Sequence, residues 1–152
     1  MADRRRDVLN RLRAIPDDLA TVARSASPEP PAPGEWTPSD VVRHLIATES
    51  EVWQPRLATL ATEDHPRWPW VDTERWTGDP GATLDQLLAM YAAARESTLA
   101  TLGALDDAGW DRTGTHATFG TLNVAGLMER AVDHDEEHVR SFRPATYAEA
   151  PE

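Results

Sequence analysis

The stretch Ala131-Val132-Asp133-His134-Asp135-Glu136-Glu137-His138-Val139 places the tightest limit on how this chain can fold. It holds neither Gly nor Pro, and His134 and His138 stand four residues apart. On a helix that spacing stacks two imidazoles on one face, where they can share one metal ion. Leu127, Ala131, His134, His138 and Phe142 form nearly one stripe, while Glu129, Asp133, Glu136, Glu137 and Arg140 fall on the flanks and the outer face. The two histidines therefore turn inward with the apolar side chains. Buried imidazoles cost free energy unless they are bonded, so the facing surface must supply a shared metal or a hydrogen bond.

With 152 residues the chain suits one domain, spanning 1–152, with a core that needs no covalent staple. It has no Cys, which excludes disulfides, thiolate metal ligands and a cysteine nucleophile, so any sulfur chemistry must arrive with a substrate. All 15 basic residues are Arg, the net charge is -11, and no basic run follows Arg4-Arg5-Arg6, which argues against a nucleic-acid partner. No apolar run approaches the roughly 20 residues of a membrane span, and no leader-like apolar segment follows the first residues. A soluble, cytoplasmic protein is expected, with no membrane partner.

Four helical stripes are legible. Val8, Leu9, Leu12, Ile15, Leu19 and Val22 mark the first, with Pro16 as a kink or break. Ser27 to Gly34 holds four Pro and reads as a stiff connector. A second helix opens at Thr37-Pro38-Ser39-Asp40, with Thr37 as N-cap, and uses Val41, Val42, Leu45, Ile46, Val52, Trp53, Leu57 and Leu60. His44 lies beside that apolar side, and Pro55 should bend the helix or end its first segment. Asp64 to Pro80 is irregular and carries Trp68, Trp70 and Trp76. Such a segment packs over one end of the bundle or walls an apolar substrate pocket. On the second reading Trp53, Trp68 and Trp70 contact the substrate.

The third helix begins with the capping box Thr83-Leu-Asp-Gln86 and runs to about Asp107. Gly109 to Gly120 is expected as a loop, and the fourth helix runs from near Thr121 to Arg143, where Pro144 stops it. The residues through Pro151 read as a tail. Four amphipathic helices without credible strands specify an all-α helical bundle. In such a bundle His44 can face His134 and His138, and three imidazoles leave the fourth position of a tetrahedral site open for catalysis.

Two segments carry a resemblance. Glu35-Trp36-Thr37-Pro38-Ser39-Asp40-Val41-Val42-Arg43-His44-Leu45 is similar to the first signature of the DinB/YfiT-like superfamily, and Thr115 to Leu122 through His134-Asp135-Glu136-Glu137-His138 resembles the second. The likeness spans about residues 5–145. It implies an antiparallel four-helix bundle, often a homodimer, holding one divalent ion, zinc or nickel, on His44, His134 and His138. It also implies relatives that transfer low-molecular-weight thiols of the bacillithiol or mycothiol type to small-molecule electrophiles. His65 and His116 match no ligand position and read as loop histidines, His116 with a place near the site mouth.

The expected chemistry is thiol transfer, in which the ion lowers the pKa of the thiol and the thiolate attacks an electrophile. With water in the open position the same centre would hydrolyse a bond. Glu49, Glu51 and Glu137 are candidate bases or supporting groups, and no catalytic residue is assigned. The His134-Asp-Glu-Glu137-His138 run also fits the His-x-x-Glu-His protease pattern, but such proteases need a larger scaffold. A ferritin-like di-iron centre needs two Glu-x-x-His motifs, which the chain lacks. The rival of a different class is a non-catalytic metal-binding or stress-associated module that keeps the histidines.

Overall fold

The computed structural model describes residues 2–73 and 80–142. Trp76, the stop at Arg143-Pro144 and the tail through Pro151 lie outside the described residues. The elements are α1 (Ala2–Ser25), α2 (Pro38–Thr48), a π-helical turn (Glu49–Trp53), α3 (Gln54–Thr62), β1 (Arg67–Trp68), α4 (Leu84–Gly103), α5 (Asp107–Trp110), β2 (Thr113–His116), β3 (Gly120–Asn123) and α6 (Val124–Ser141). The class is essentially all-α, a four-helix bundle built from α1, the α2–α3 rod, α4 and α6. No described helix is long and apolar enough to cross a membrane.

Local chemistry starts α2 and α4 where the sequence predicts. Thr37 accepts from the Asp40 N–H while Asp40 returns a bond to the Thr37 N–H, and Thr83 and Gln86 repeat the device at α4. Asn123 caps α6 through the Gly126 N–H at 2.9 Å. Pro16 lies inside an unbroken α1. Pro55 enters as the second residue of α3, directly after the π-turn. There the Gln54 N–H reaches back to the Glu49 carbonyl, one residue further than in an α-helix, so the rod continues past a residue that lacks an N–H. The wider turn faces Glu49, Val52 and Trp53 inward.

Long-range polar pairs give the helix directions. Arg24 meets Asp85, Arg95 reaches the Leu12 carbonyl and Arg5 meets Asp107, so α1 and α4 run in opposite senses. Arg4 meets Glu129 while Arg11 meets Asp133 and Glu136, so α1 and α6 lie side by side in the same sense. Leu12, Leu19, Leu45, Leu87, Tyr91, Leu127, Met128 and Val132 fill the space between the helices.

The expected loop from Gly109 to Gly120 is instead ordered structure. It contains the end of α5 and strand β2, and β3 occupies residues 120–123, where the fourth helix was expected to begin. β1 pairs in parallel with β2, and β2 pairs antiparallel with β3. Strands this short carry little period-2 signal, and their stability comes from what they cover. Gly114 lies against the Trp68 ring: a Cβ there would come within 2.5 Å of Cζ2. A Gly114→Ala substitution is accordingly expected to destabilise the protein by about 1–3 kcal/mol, as overpacking generally does, measured as a lower urea midpoint with an unchanged slope.

Candidate metal centre

α2 delivers His44 and α6 delivers His134 and His138 to one point. His44 Nε2 and His134 Nε2 are 3.1 Å apart, and one ligand nitrogen from each of the three rings lies within 4.8 Å of the others. Around an ion held at about 2.0–2.1 Å, tetrahedral imidazole nitrogens stand roughly 3.3 Å apart, near the His44–His134 separation of 3.1 Å, so this donor set fits a divalent ion. All three rings are half-buried. His44 Nδ1 is 3.2 Å from the hydroxyl of buried Thr73, and His134 Nδ1 is 2.9 Å from Asp135 Oδ1.

Burial lowers the His44 pKa to about 4, with His138 and His134 adding to the effect. His138 is lowered as well, by burial first and then by His134. These two rings are therefore neutral at pH 7, the form in which imidazole binds a metal.

Beneath the histidines lies a closed polar unit. Asp135 is 0 % exposed, and its Oδ2 accepts from the Tyr91 hydroxyl at 2.6 Å and from Arg95 Nη2 at 2.5 Å. Arg95 also forms two 2.9 Å bonds to the Glu49 carboxylate, and Glu49 accepts from Thr98. Burial opposes the charge on Asp135, but the bond from His134 and the guanidinium of Arg95 outweigh it and hold its pKa below the usual carboxylate range.

Above the histidines opens a cavity of about 1020 Å³, bounded by Trp36, Val41, Phe142 and the Pro30-Pro31 connector, with Glu29 and Glu35 on its wall. The Trp36 ring centroid lies 5.0 Å from that of His44, and the ring stacks on His138 at 6.4 Å. Trp36 is 36 % exposed.

The three histidines named from the sequence are thus brought together, whereas the three tryptophans are not. Trp53 is buried edge-on to His134 at 6.2 Å, outside the cavity wall. Trp68 is buried against the bundle, its Nε1 donating to Thr59 Oγ1 at 2.9 Å. Trp70 is 78 % exposed, and neither it nor Trp68 lines the cavity. Among the described residues, the aromatic side chains on the cavity wall are Trp36 and Phe142, beside the proline connector. His65 lies before β1 with its ring nitrogens 3.0 and 2.7 Å from the Thr113 and Thr115 hydroxyls. His116 ends β2, not a loop, and its Nδ1 accepts from the Thr118 and Phe119 N–H groups, away from the cavity lining.

Asp135, Arg95 and Tyr91 were missed by the pattern reading. Their signal is present: Tyr91, Arg95, Thr98 and Leu102 are spaced four, three and four residues apart, so a cation stands on a core stripe. Glu49, a candidate base or supporting group in the sequence, is buried and bonded to Arg95 and Thr98. Glu51 and Glu137 are exposed.

The family model of the DinB superfamily matches residues 1–141. The chain belongs to that superfamily. Its four-helix bundle superposes on YfiT of Bacillus subtilis with a TM-score of 0.74 at 21% identity, over 89% of this chain and 81% of that one. YfiT is described as a probable metal-dependent hydrolase with an unusual four-helix bundle topology. TT2238, described as a four-helix bundle protein, superposes with a TM-score of 0.62 at 26% identity over 90% of this chain and 96% of its own. In sequence, the chain is 24% identical over 114 residues to a protein of Oceanobacillus iheyensis named "Putative metal-dependent hydrolase OB0413", covering 74% of this chain and 65% of that relative. In this DinB-superfamily member His44, His134 and His138 form a cluster that could hold a metal ion.

The low pKa of His44 predicts how the metal-free protein responds to acid. Its folded value lies below the unfolded one, so the stability it contributes is present above about pH 6.5 and is lost as pH falls towards 4. Allowing for its partial exposure, this loss amounts to roughly 1–2 kcal/mol. Urea unfolding of chelator-stripped protein between pH 7 and 4.5 should give that slope, and His44→Phe should flatten it.

Proposed function

We propose that this protein is a divalent-metal-dependent transferase that joins a low-molecular-weight thiol to an electrophilic small molecule, with His44, His134 and His138 holding a zinc or nickel ion. The observation that carries the reading is the convergence of three half-buried imidazoles at the floor of a cavity of about 1020 Å³, which has room for two reactants. A divalent ion held by His44, His134 and His138 would supply Lewis acidity, lowering the pKa of a thiol or a water. The chain's own groups do the rest. Trp36 and Phe142 exclude water and hold the apolar part of the electrophile. Glu49 and Asp135 are both engaged by Arg95, so neither is free to take a proton from a nucleophile. A thiol whose pKa a bound ion lowers would need no further base, and the cavity leaves room for a second reactant beside it, which supports the thiol reading.

Hydrolysis is the second reading, because two similar proteins carry that description. Glu35, beside Trp36 on the cavity wall, is the group that would activate water. The two readings part on a single assay. Zinc- or nickel-loaded protein should consume 1-chloro-2,4-dinitrobenzene in proportion to added thiol, with His44→Ala at background. Cleavage of ester or amide probes without thiol, lost in Glu35→Gln, would replace the transferase reading with the hydrolytic one.

Metal content gives an independent check. Elemental analysis of untagged protein should find about one ion per wild-type chain, the count expected of a single three-histidine centre. His44→Ala, His134→Ala and His138→Ala should each lose it, while His65→Ala, whose ring is bound to Thr113 and Thr115, should keep it. Equal metal in all four variants would sink the ligand assignment.

A further inference from the structure

We infer that Asp135 is a positioning residue that fixes the tautomer of His134, and that the buried Arg95–Glu49 pair exists to hold Asp135 in that role. The inference rests on the three-histidine reading and adds to it a residue set that touches neither metal nor substrate. Asp135 Oδ2 is occupied by two donors, the Tyr91 hydroxyl and Arg95 Nη2, and Oδ1 is left facing His134 Nδ1 at 2.9 Å. A carboxylate only accepts, so His134 Nδ1 must carry the ring proton. His134 Nε2 then presents its lone pair towards His44 and His138, where an ion needs it.

The network is also built to keep that carboxylate charged. Arg95 is 1 % exposed and lies between Glu49, 1 % exposed, and Asp135. Two carboxylates share one guanidinium, which leaves one negative charge in excess directly under the imidazoles, a field that favours a cation above it.

An Asp135→Asn variant separates this role from simple packing. Arg95 cannot accept a hydrogen bond, so the new amide must turn its oxygen to Arg95 and its NH₂ to His134 Nδ1. That forces the Nε2–H tautomer and puts a proton at the ligand position. Tyr91→Phe, in contrast, removes one bond to Asp135 but leaves its charge and its contact with His134 intact.

The test uses untagged, chelator-stripped, ¹⁵N-labelled protein. Long-range proton–nitrogen NMR correlations read the His134 tautomer, and competition with a chromophoric chelator reads zinc affinity. The expected result is Nδ1–H in wild type and in Tyr91→Phe, Nε2–H in Asp135→Asn, and a loss of zinc affinity of about 10–100-fold in Asp135→Asn alone. An Nε2–H ring in wild type overturns the inference, and so does an Asp135→Asn protein that keeps both the wild-type tautomer and its zinc affinity. Should Asp135→Asn fail to fold, the wild-type tautomer by itself decides. Should wild type bind no zinc, the metal reading falls, while the tautomer comparison still decides the part played by Asp135.

Discussion

The guanidinium of Arg95 is the contact on which the rest of this structure depends. From α4 it reaches the Leu12 carbonyl on α1, both oxygens of Glu49 on the π-turn and Asp135 on α6, so one buried group joins all four long elements of the bundle. Taking three charges out of water is costly, and removing one partner of such a set leaves the others unpaired in a low-dielectric interior. Every donor of the fork that these bonds use has an acceptor, which lets the unit stay charged and single-valued in geometry. It fixes how far α6 stands from α2, and with that the separation of His134 from His44.

The π-turn and the short sheet serve the same end from the two sides. Without the extra residue of the wider turn, Glu49 and Trp53 would rotate away from the core, and Pro55 would stand in an α-helical ladder one bond short. The sheet holds the segment before α6: Trp68 packs over Gly114 of β2, and β3 leads directly into the Asn123 cap. The start of α6 is therefore tied to α3 through Trp68 and Thr59 as well as to its own helix neighbours. Together they orient one helix face.

Helix existence was legible because caps and apolar periods are local and redundant. Thr37 with Asp40 and Thr83 with Gln86 start helices wherever they stand in a chain, and the stripes through Leu12, Leu45, Leu87 and Leu127 mark the buried faces. The strands were not legible, since residues 113–116 and 120–123 form β-structure by pairing with each other and with β1, through contacts that no local period encodes. The positions of the tryptophans depend on tertiary packing in the same way. A large ring in an irregular segment must be covered, but Trp68 is covered by the bundle and Trp70 is left exposed, while Trp36 from the proline-rich side meets the histidines.

The sequence by itself determined the helices, their buried faces and the two histidines that share the inner face of α6, because spacing along a helix is fixed by its geometry. It also carried the charges on core stripes at Glu49 and Arg95, whose positions already required partners. Only the tertiary structure decided which partners they took. That His44 comes within 3.1 Å of His134, that Asp135 faces the ring beside it and that Trp36 roofs the cavity all follow from how α2, α4 and α6 pack. The His44–His134 approach joins residues 90 positions apart in the chain, and no local rule of backbone geometry reaches that far.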